Sequence, residues 1–408
     1  MNNMYRIFLS LIVMMIVTTA SMAQGMSQYD FNAPFGWCGC TSLTDGDACK
    51  VTGGGEGSRD TLVSTGEDMR KQITKALREN DIVVLDGSHG DFIISKRIEM
   101  DDLRDKTIVG INGARISTQF KIDAEIRNLL NSKNVKQYVS ASTGNGGFIL
   151  SNGKKVKEER ESVVRQTLID YLKDDNETYR DAGVFSFDRS ENIIMRNLTL
   201  VGPGSIDVGG SDLMTISHAS KHIWIDHCDF IDGMDGNFDI NSYSDFITIS
   251  WCRFKYTENS FDHSNTNLIG SSDREFGNGE DNLNVTYYAC NWDKGCDQRM
   301  PMVRFGTVHL LNNLYSCEGC TRAVNPRFHS EVLIEGNVFT KGVKRIFQQN
   351  DAKSVIFRNN SYAEKFKQPA DFGNMSLPYS YAAMPVDSVE AEVRKYCGAT
   401  LANPLEIK

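Results

Sequence analysis

Seven short segments between residues 190 and 362 carry one pattern: NIIMRNLTL, HIWIDHCDF, FITISWCRF, LNVTYYACNW, VHLLNNLY, VLIEGNVF and VIFRNNSY. Each opens with alternating apolar residues, the mark of a strand, and runs on into polar, turn-rich sequence. Aligned, they place Leu198, Cys228, Cys252, Cys290, Asn313, Asn337 and Asn360 in one column, at intervals of 30, 24, 38, 23, 24 and 23 residues. A period near 23 that lengthens only where loops enter is a solenoid signature. It is too short for a strand plus a crossover helix, and a β-sandwich would not explain a single repeating column. The expected fold is therefore all-β, a single-stranded right-handed parallel β-helix with one coil per repeat. Like side chains then stack one strand spacing apart. Asn313, Asn337 and Asn360 are expected to form a buried amide ladder, and the column cysteines to pack as small buried thiols.

The segments outside this pattern suggest how the solenoid is bounded. DMRKQITKALREN (68–80) reads as an amphipathic N-terminal cap helix, and DIVVLDG and KTIVGINGARIS as early coils. Residues 119–182 lack strand runs. KIDAEIRNLL and KEERESVVRQTLIDYLKDD are charged and helical in period, so this stretch is expected to be an inserted helical excursion. Residues 363–408 form a Pro-punctuated tail with a short helix at DSVEAEVRKY, expected to cap the C-terminal end.

Residues 1–23 have the form of a cleaved secretory signal: Arg6, the apolar run Ile7–Val17, then Ser21-Met22-Ala23. The domain is then 24–408, secreted or periplasmic, with no membrane attachment after cleavage. Removing Arg6 takes the formal charge from −9 to −10. An acidic chain with no basic stripe is not a nucleic-acid binder, and an acidic polymer would need local cations to approach it. Export also permits disulfides. Cys38, Cys40, Cys49, Cys317 and Cys320, in Gly-rich loops, are the expected bridging cysteines.

The chemistry concentrates in DHCDFIDGMDGNFDI (226–240), in which five of fifteen residues are aspartates. Repulsion makes such crowding costly unless a cation offsets it. Asp235 and Asp239, four apart, fall on one side of a turn entering a strand, and Asp212 opens the strand one coil earlier. Three convergent carboxylates suit a hard cation, calcium above all. Spacing alone is equally consistent with solvated turn aspartates. Arg299 and Arg304, around Pro301 in QRMPMVRFG, could grip carboxylates, or could be an ordinary surface pair.

WIDH at 224–227, DGNFD at 235–239, LIGSSD at 268–273 and RxPxxR at 299–304, in this order, resemble the pectate lyase family of polysaccharide lyases (pectate lyase C type, family 1). VTGGG at 51–55 and KTIVGINGARI at 106–116 are similar to that family's first coils. The resemblance implies a β-helix that cleaves polygalacturonate (pectate) by β-elimination with Ca2+. It implies Asp212, Asp235 and Asp239 as calcium ligands, Arg299 as the residue that removes the C5 proton, and Arg304 as a substrate-binding arginine. Trp224 and His227 of WIDH are expected to be structural. The expected partner is the polysaccharide, with the chain acting as a monomer. One position departs from the family: a lysine that usually precedes LIGSSD is here Asn265, leaving Lys255 or His263 to supply that charge. The competing readings are a hydrolase using Asp235 and Asp239 as acid and base, a non-catalytic polysaccharide-binding solenoid, and a lyase preferring methyl-esterified pectin.

Overall fold

The computed structural model describes residues 30–131, 139–142, 147–150, 153–157, 160–173, 178–261, 263–274 and 282–408. The segment read as a signal peptide, residues 1–23, lies outside them. Among the described residues no helix is long and apolar enough to cross a membrane. Two units are distinguished. In the small one, Lys408 N donates to Asn32 O and Lys408 Nζ lies 2.9 Å from Asp30. Phe35–Leu405 forms the large one.

The expected parallel β-helix is the fold found. Its strands stack into three parallel sheets of ten, seven and nine strands, so each coil contributes one strand to each face. In one coil, Lys221–Asp226 lies on the ten-stranded sheet, Asp229–Ile231 on the nine-stranded sheet and Phe238–Ile240 on the seven-stranded sheet. Each strand is too short to be stable alone, so the stacking and the shared core decide the structure. Inward residues such as Ile223, Ile225, Phe230, Phe238 and Ile240 are wholly buried. Burying one such side chain contributes about 1.5–3 kcal/mol.

The repeat column is explained by one corner. Between the ten- and nine-stranded sheets the chain turns through a single residue with positive φ: Asn197, His227, Trp251, Ala289, Asn312, Gly336 and Asn359, with φ from 47° to 64°. Asparagine tolerates that left-handed region better than most residues, which accounts for the NN pairs. The first Asn makes the corner; the second points inward. The expected ladder forms there, with Asn313 Nδ2 donating to Asn337 Oδ1 at 3.0 Å and Asn337 Nδ2 to Asn360 Oδ1 at 3.1 Å. Cys228, Cys252 and Cys290 continue the column as buried thiols. Beside it runs an aromatic stack, Phe254–Trp292–Tyr315–Phe339–Tyr362, with ring centroids 4.4–5.7 Å apart.

Three expectations change. The bridges expected at Cys38, Cys40, Cys49, Cys317 and Cys320 are not formed: all ten cysteines are free, although Cys317 and Cys320 Sγ lie 2.9 Å apart. The excursion is not purely helical. It carries helices Ala124–Asn131 and Arg160–Lys173, but also a three-stranded antiparallel sheet, Val139–Ser142, Gly147–Leu150 and Lys155–Lys157. Helix Arg70–Glu79 does bury Ile73, Ala76 and Leu77 in the main core. The C-terminal helix Val386–Tyr396 forms as expected, yet it packs along the flank strands Leu314–Tyr315 and Val338–Phe339 instead of over the end. Phe366 and Phe372 pack against the core from the tail. Beyond them the tail runs back along the molecule, where Leu401 N donates to Asn197 Oδ1 and Pro404 O accepts from Arg196.

Candidate active site

The seven-stranded sheet brings the acids together. Asp239 is the middle residue of Phe238–Ile240; its two neighbours are buried, so alternation turns its carboxylate outward. Asp235 lies in the preceding turn. Register pairs Met214 with Phe238, which sets Asp212 beside Gly236 on the adjacent coil. A Cβ on Gly236 would stand 2.5 Å from Asp212 Oδ1. A side chain at the glycine of DGNFD would therefore displace that carboxylate.

These carboxylates feel one another. Burial, then the charges of Asp239 and Asp235, push the Asp212 pKa well above the carboxylate range, against Arg299 and Arg97. Burial and Asp235 likewise push Asp239 up to about 7, opposed by Arg299, the Leu268 N–H and a hydrogen bond from Asp212. The site thus holds more negative charge than the protein around it compensates, which is the condition a divalent cation relieves. The donor set, all carboxylate oxygen, fits calcium. The acids are not gathered into a finished cage, however. Among the described residues no three His, Cys, Asp or Glu side chains are already placed around one point. Asp212 hydrogen-bonds Asp239, while Asp235 turns to His263, whose Nε2 is 3.0 Å from Asp235 Oδ1.

His263 is one of the two residues considered for the missing lysine. Burial disfavours its charged form, but the hydrogen bond and charge of Asp235, with Asp207, outweigh this and raise its pKa. Lys255 lies elsewhere, on the nine-stranded sheet in register with Ile231. Asn265 bridges to Gln298 of the next coil, its buried Oδ1 without a hydrogen-bond partner. Tyr256 donates its hydroxyl to the Asn265 carbonyl.

The arginines enter from the following coils. Arg299 adopts φ 60° and accepts at its carbonyl from Asn267 N at 2.7 Å, while its buried Nε has no hydrogen-bond partner. Its charge bears on both Asp212 and Asp239. Arg304 donates from Nη1 to Gly270 O at 3.0 Å and from Nε to Asp273, which Arg327 also approaches at 3.7 Å. Trp224 and His227 are buried on the ten-stranded sheet and its corner.

Sequence reading missed Asp207, Arg97 and Arg165. Asp207 sits 3.8 Å from His263 Nδ1 and is held at 3.0 Å by Arg165 of the excursion. Ile126, Val164, Leu168 and Leu172 of the excursion pack on Ile206, Val208 and Met234, whose neighbours are Asp207 and Asp235. Nothing in the periodicity of 119–182 signals that contact, because the coil it rests on lies far along the chain.

The fold is thus a parallel β-helix solenoid with clustered acids beside an arginine whose charge bears on them. Residues 151–401, more than half of the chain, match the family model described as pectate lyase, and the chain belongs to the pectate lyase family. It is 29% identical over 307 residues to a pectate trisaccharide-lyase of a Thermotoga species, covering 75% of this chain and 63% of that protein. It is 32% identical over 220 residues to pectate lyase A of Emericella nidulans, covering 52% and 62%. The chain thus spans a little under two thirds of the length of these relatives. Among solved structures, a Bacillus pectate lyase in complex with trigalacturonate shares the fold with TM-score 0.54 at 17% identity, covering 90% of this chain and 98% of that one. The cedar pollen allergen jun a 1 does so with TM-score 0.53 at 16% identity, covering 90% and 93%.

Proposed function

We propose that this protein is a secreted or periplasmic, calcium-dependent lyase that cleaves polygalacturonate by β-elimination. The observation that carries the reading is the patch of Asp212, Asp235 and Asp239 on adjacent coils beside Arg299, where burial and the charge of Asp235 push Asp239 up to about 7 against Arg299. Asp212, Asp235 and Asp239 would hold the calcium ion, with Asp235 exchanging His263 for it. When bound, calcium supplies positive charge to the uronate carboxylate, on which negative charge develops once the neighbouring proton leaves.

The chain's own residues do the rest. Arg304, already oriented by Gly270 and Asp273, binds a uronate carboxylate through its remaining donors. His263 stands in for the family lysine as the second cation. Arg299 takes the C5 proton. The C5–H electrons become the C4–C5 double bond, the C4–O bond breaks, and the departing oxygen is protonated from water. An isolated guanidinium stays protonated, so this role requires Arg299 to act in its neutral form. No water is activated as a nucleophile, which separates this chemistry from a hydrolase using Asp235 and Asp239.

The test is incubation with polygalacturonate, with and without a chelator, following ultraviolet absorbance of the unsaturated uronide. Absorbance that grows with calcium and stops with chelator is expected. Reducing ends released without that absorbance would make the protein a hydrolase; no cleavage would leave a binding solenoid.

A further inference from the structure

The arginines continue past the proposed reaction centre. Met302 pairs with Asn325, and Val324 with Phe347 on the following coil. This register sets Arg322 one coil beyond Arg299, and Arg345 one coil beyond Arg322, on the same face. Arg327 stands in the same relation to Arg304. Five guanidinium groups thus occupy one face of a chain whose formal charge is −9.

Arg322 and Arg345, unlike the other three, are held by neutral partners. Arg322 Nη2 donates to Gln298 Oε1 at 2.6 Å, and Arg345 Nη1 to Gln348 Oε1 at 2.6 Å. Both acceptors are neutral amides, which fix the guanidinium planes without cancelling their charge. Among the described residues neither arginine makes an ion pair. Asp297, the acid whose charge reaches Arg322, is itself engaged by the Thr321 N–H at 2.9 Å and hydroxyl at 3.1 Å. Arg304 and Arg327 share the single carboxylate of Asp273. Burial, then the charges of Arg345, Arg327 and Arg299, lower the Arg322 pKa against Asp297, in keeping with the register that gathers these cations on one face. Such crowding is costly unless an anion completes it.

We propose that Arg322 and Arg345 form an anion track that extends the site along the solenoid, each taking a carboxylate of a de-esterified polyuronate beyond the bond that is cleaved. Stacked coils repeat every ~4.8 Å, a length comparable to one sugar of an extended uronate chain. A column of cations running along the coils therefore suits a polymer that carries carboxylates along its length. The proposal rests on the reading of the Arg299 site as a uronate site, and it makes long acidic chains the preferred ligand.

The experiment is binding of galacturonate trimer and octamer to the full chain in chelator, by calorimetry, for wild type, Arg345→Gln and Arg322→Gln/Arg345→Gln, with thermal melts to verify folding. Arg345 is exposed, so its single variant tests the track even if the double variant folds poorly. The octamer is expected to bind wild type more tightly than the trimer. That advantage is expected to shrink at least about tenfold in the double variant and severalfold in Arg345→Gln, each charge-assisted contact being of that order. Fully methyl-esterified octamer should show no advantage. An octamer advantage that survives both substitutions, or that is equal for the esterified octamer, overturns the track. Octamer binding that depends on these arginines, without unsaturated product when calcium is supplied, supports the track and overturns the lyase reading.

Discussion

One buried aspartate, Asp226, and the aspartate patch that shares its coil meet opposite conditions. Asp226, on the ten-stranded sheet, is wholly buried, yet its charge is answered on every side. Arg196 Nε donates to it at 2.8 Å, His227 Nδ1 lies 2.7 Å away, and the Ser250 hydroxyl donates at 2.6 Å. The Trp224 indole N–H secures Ser250 at 2.8 Å, and Arg196 lies over the Trp224 ring at 5.3 Å. Burial alone would raise the Asp226 pKa; His227 and Arg196 more than offset it and hold it low. Asp212 and Asp239 have the reverse balance. Their nearest charged neighbours include each other and Asp235, and their pKa values rise. The comparison separates scaffold from site: a buried charge with complete partners is architecture, whereas a cluster left short of positive charge is an invitation to a ligand.

The sharpest way to break this distinction is at the arginines. Arg299→Ala is expected to lower formation of unsaturated product by about 10³-fold or more, in the range lost with a positioned acid–base group, while the circular dichroism spectrum is preserved. Near-normal turnover would remove Arg299 from the reaction. Arg196→Ala should instead strike stability, by about 3–5 kcal/mol, because it strands a buried carboxylate. Urea denaturation measures this, and a loss below about 1 kcal/mol would mean that Asp226 is not the compensated charge described.

Asp239→Asn should have the opposite sign. In chelator at pH 8 the variant is expected to be more stable than wild type, on the order of 1 kcal/mol after solvent screening, and calcium should no longer raise its melting temperature. A destabilised variant that still responds to calcium would take Asp239 out of the metal set.

The smallest effect is the pH dependence. The folded pKa of Asp239, about 7, lies above its unfolded value. Folding therefore takes up a proton, and the metal-free protein loses stability as pH rises from about 4 to about 7. Asp226 behaves oppositely: with its folded pKa below the unfolded one, its contribution is complete above about pH 4 and is lost as pH falls through the folded value. In chelator, the difference in melting temperature between Asp239→Asn and wild type should grow across pH 4–7 and then level off. A flat difference would make Asp239 an ordinary solvated acid.

Much of the coil was legible because a solenoid repeats local rules. Each NN pair carries a corner and a ladder position, and each apolar alternation tells inside from outside. The acids were legible for the same reason, since stacking projects Asp212 onto Gly236 from register alone. The excursion was read less well. Helical period identified its two helices, but its antiparallel strands are too short to stand out from loop sequence. The column cysteines were read correctly as buried thiols, whereas export alone argued for bridges at Cys38, Cys40, Cys49, Cys317 and Cys320, all of which are free. The tail's course was invisible because its partners, Asn197, Arg196 and the flank strands, lie far away in the chain.

By itself, the sequence determined the solenoid, its column of ladder residues and which carboxylates could share a face, because each of these follows from interactions repeated at one period. Only the tertiary structure decided that Asp235 is held by His263, that Asp207 and Arg165 join the acidic patch, and that Arg322 and Arg345 continue the arginine face with amide partners in place of acids. Those outcomes depend on how charges from different coils balance once water is displaced, and that balance is a property of the assembled site rather than of any segment.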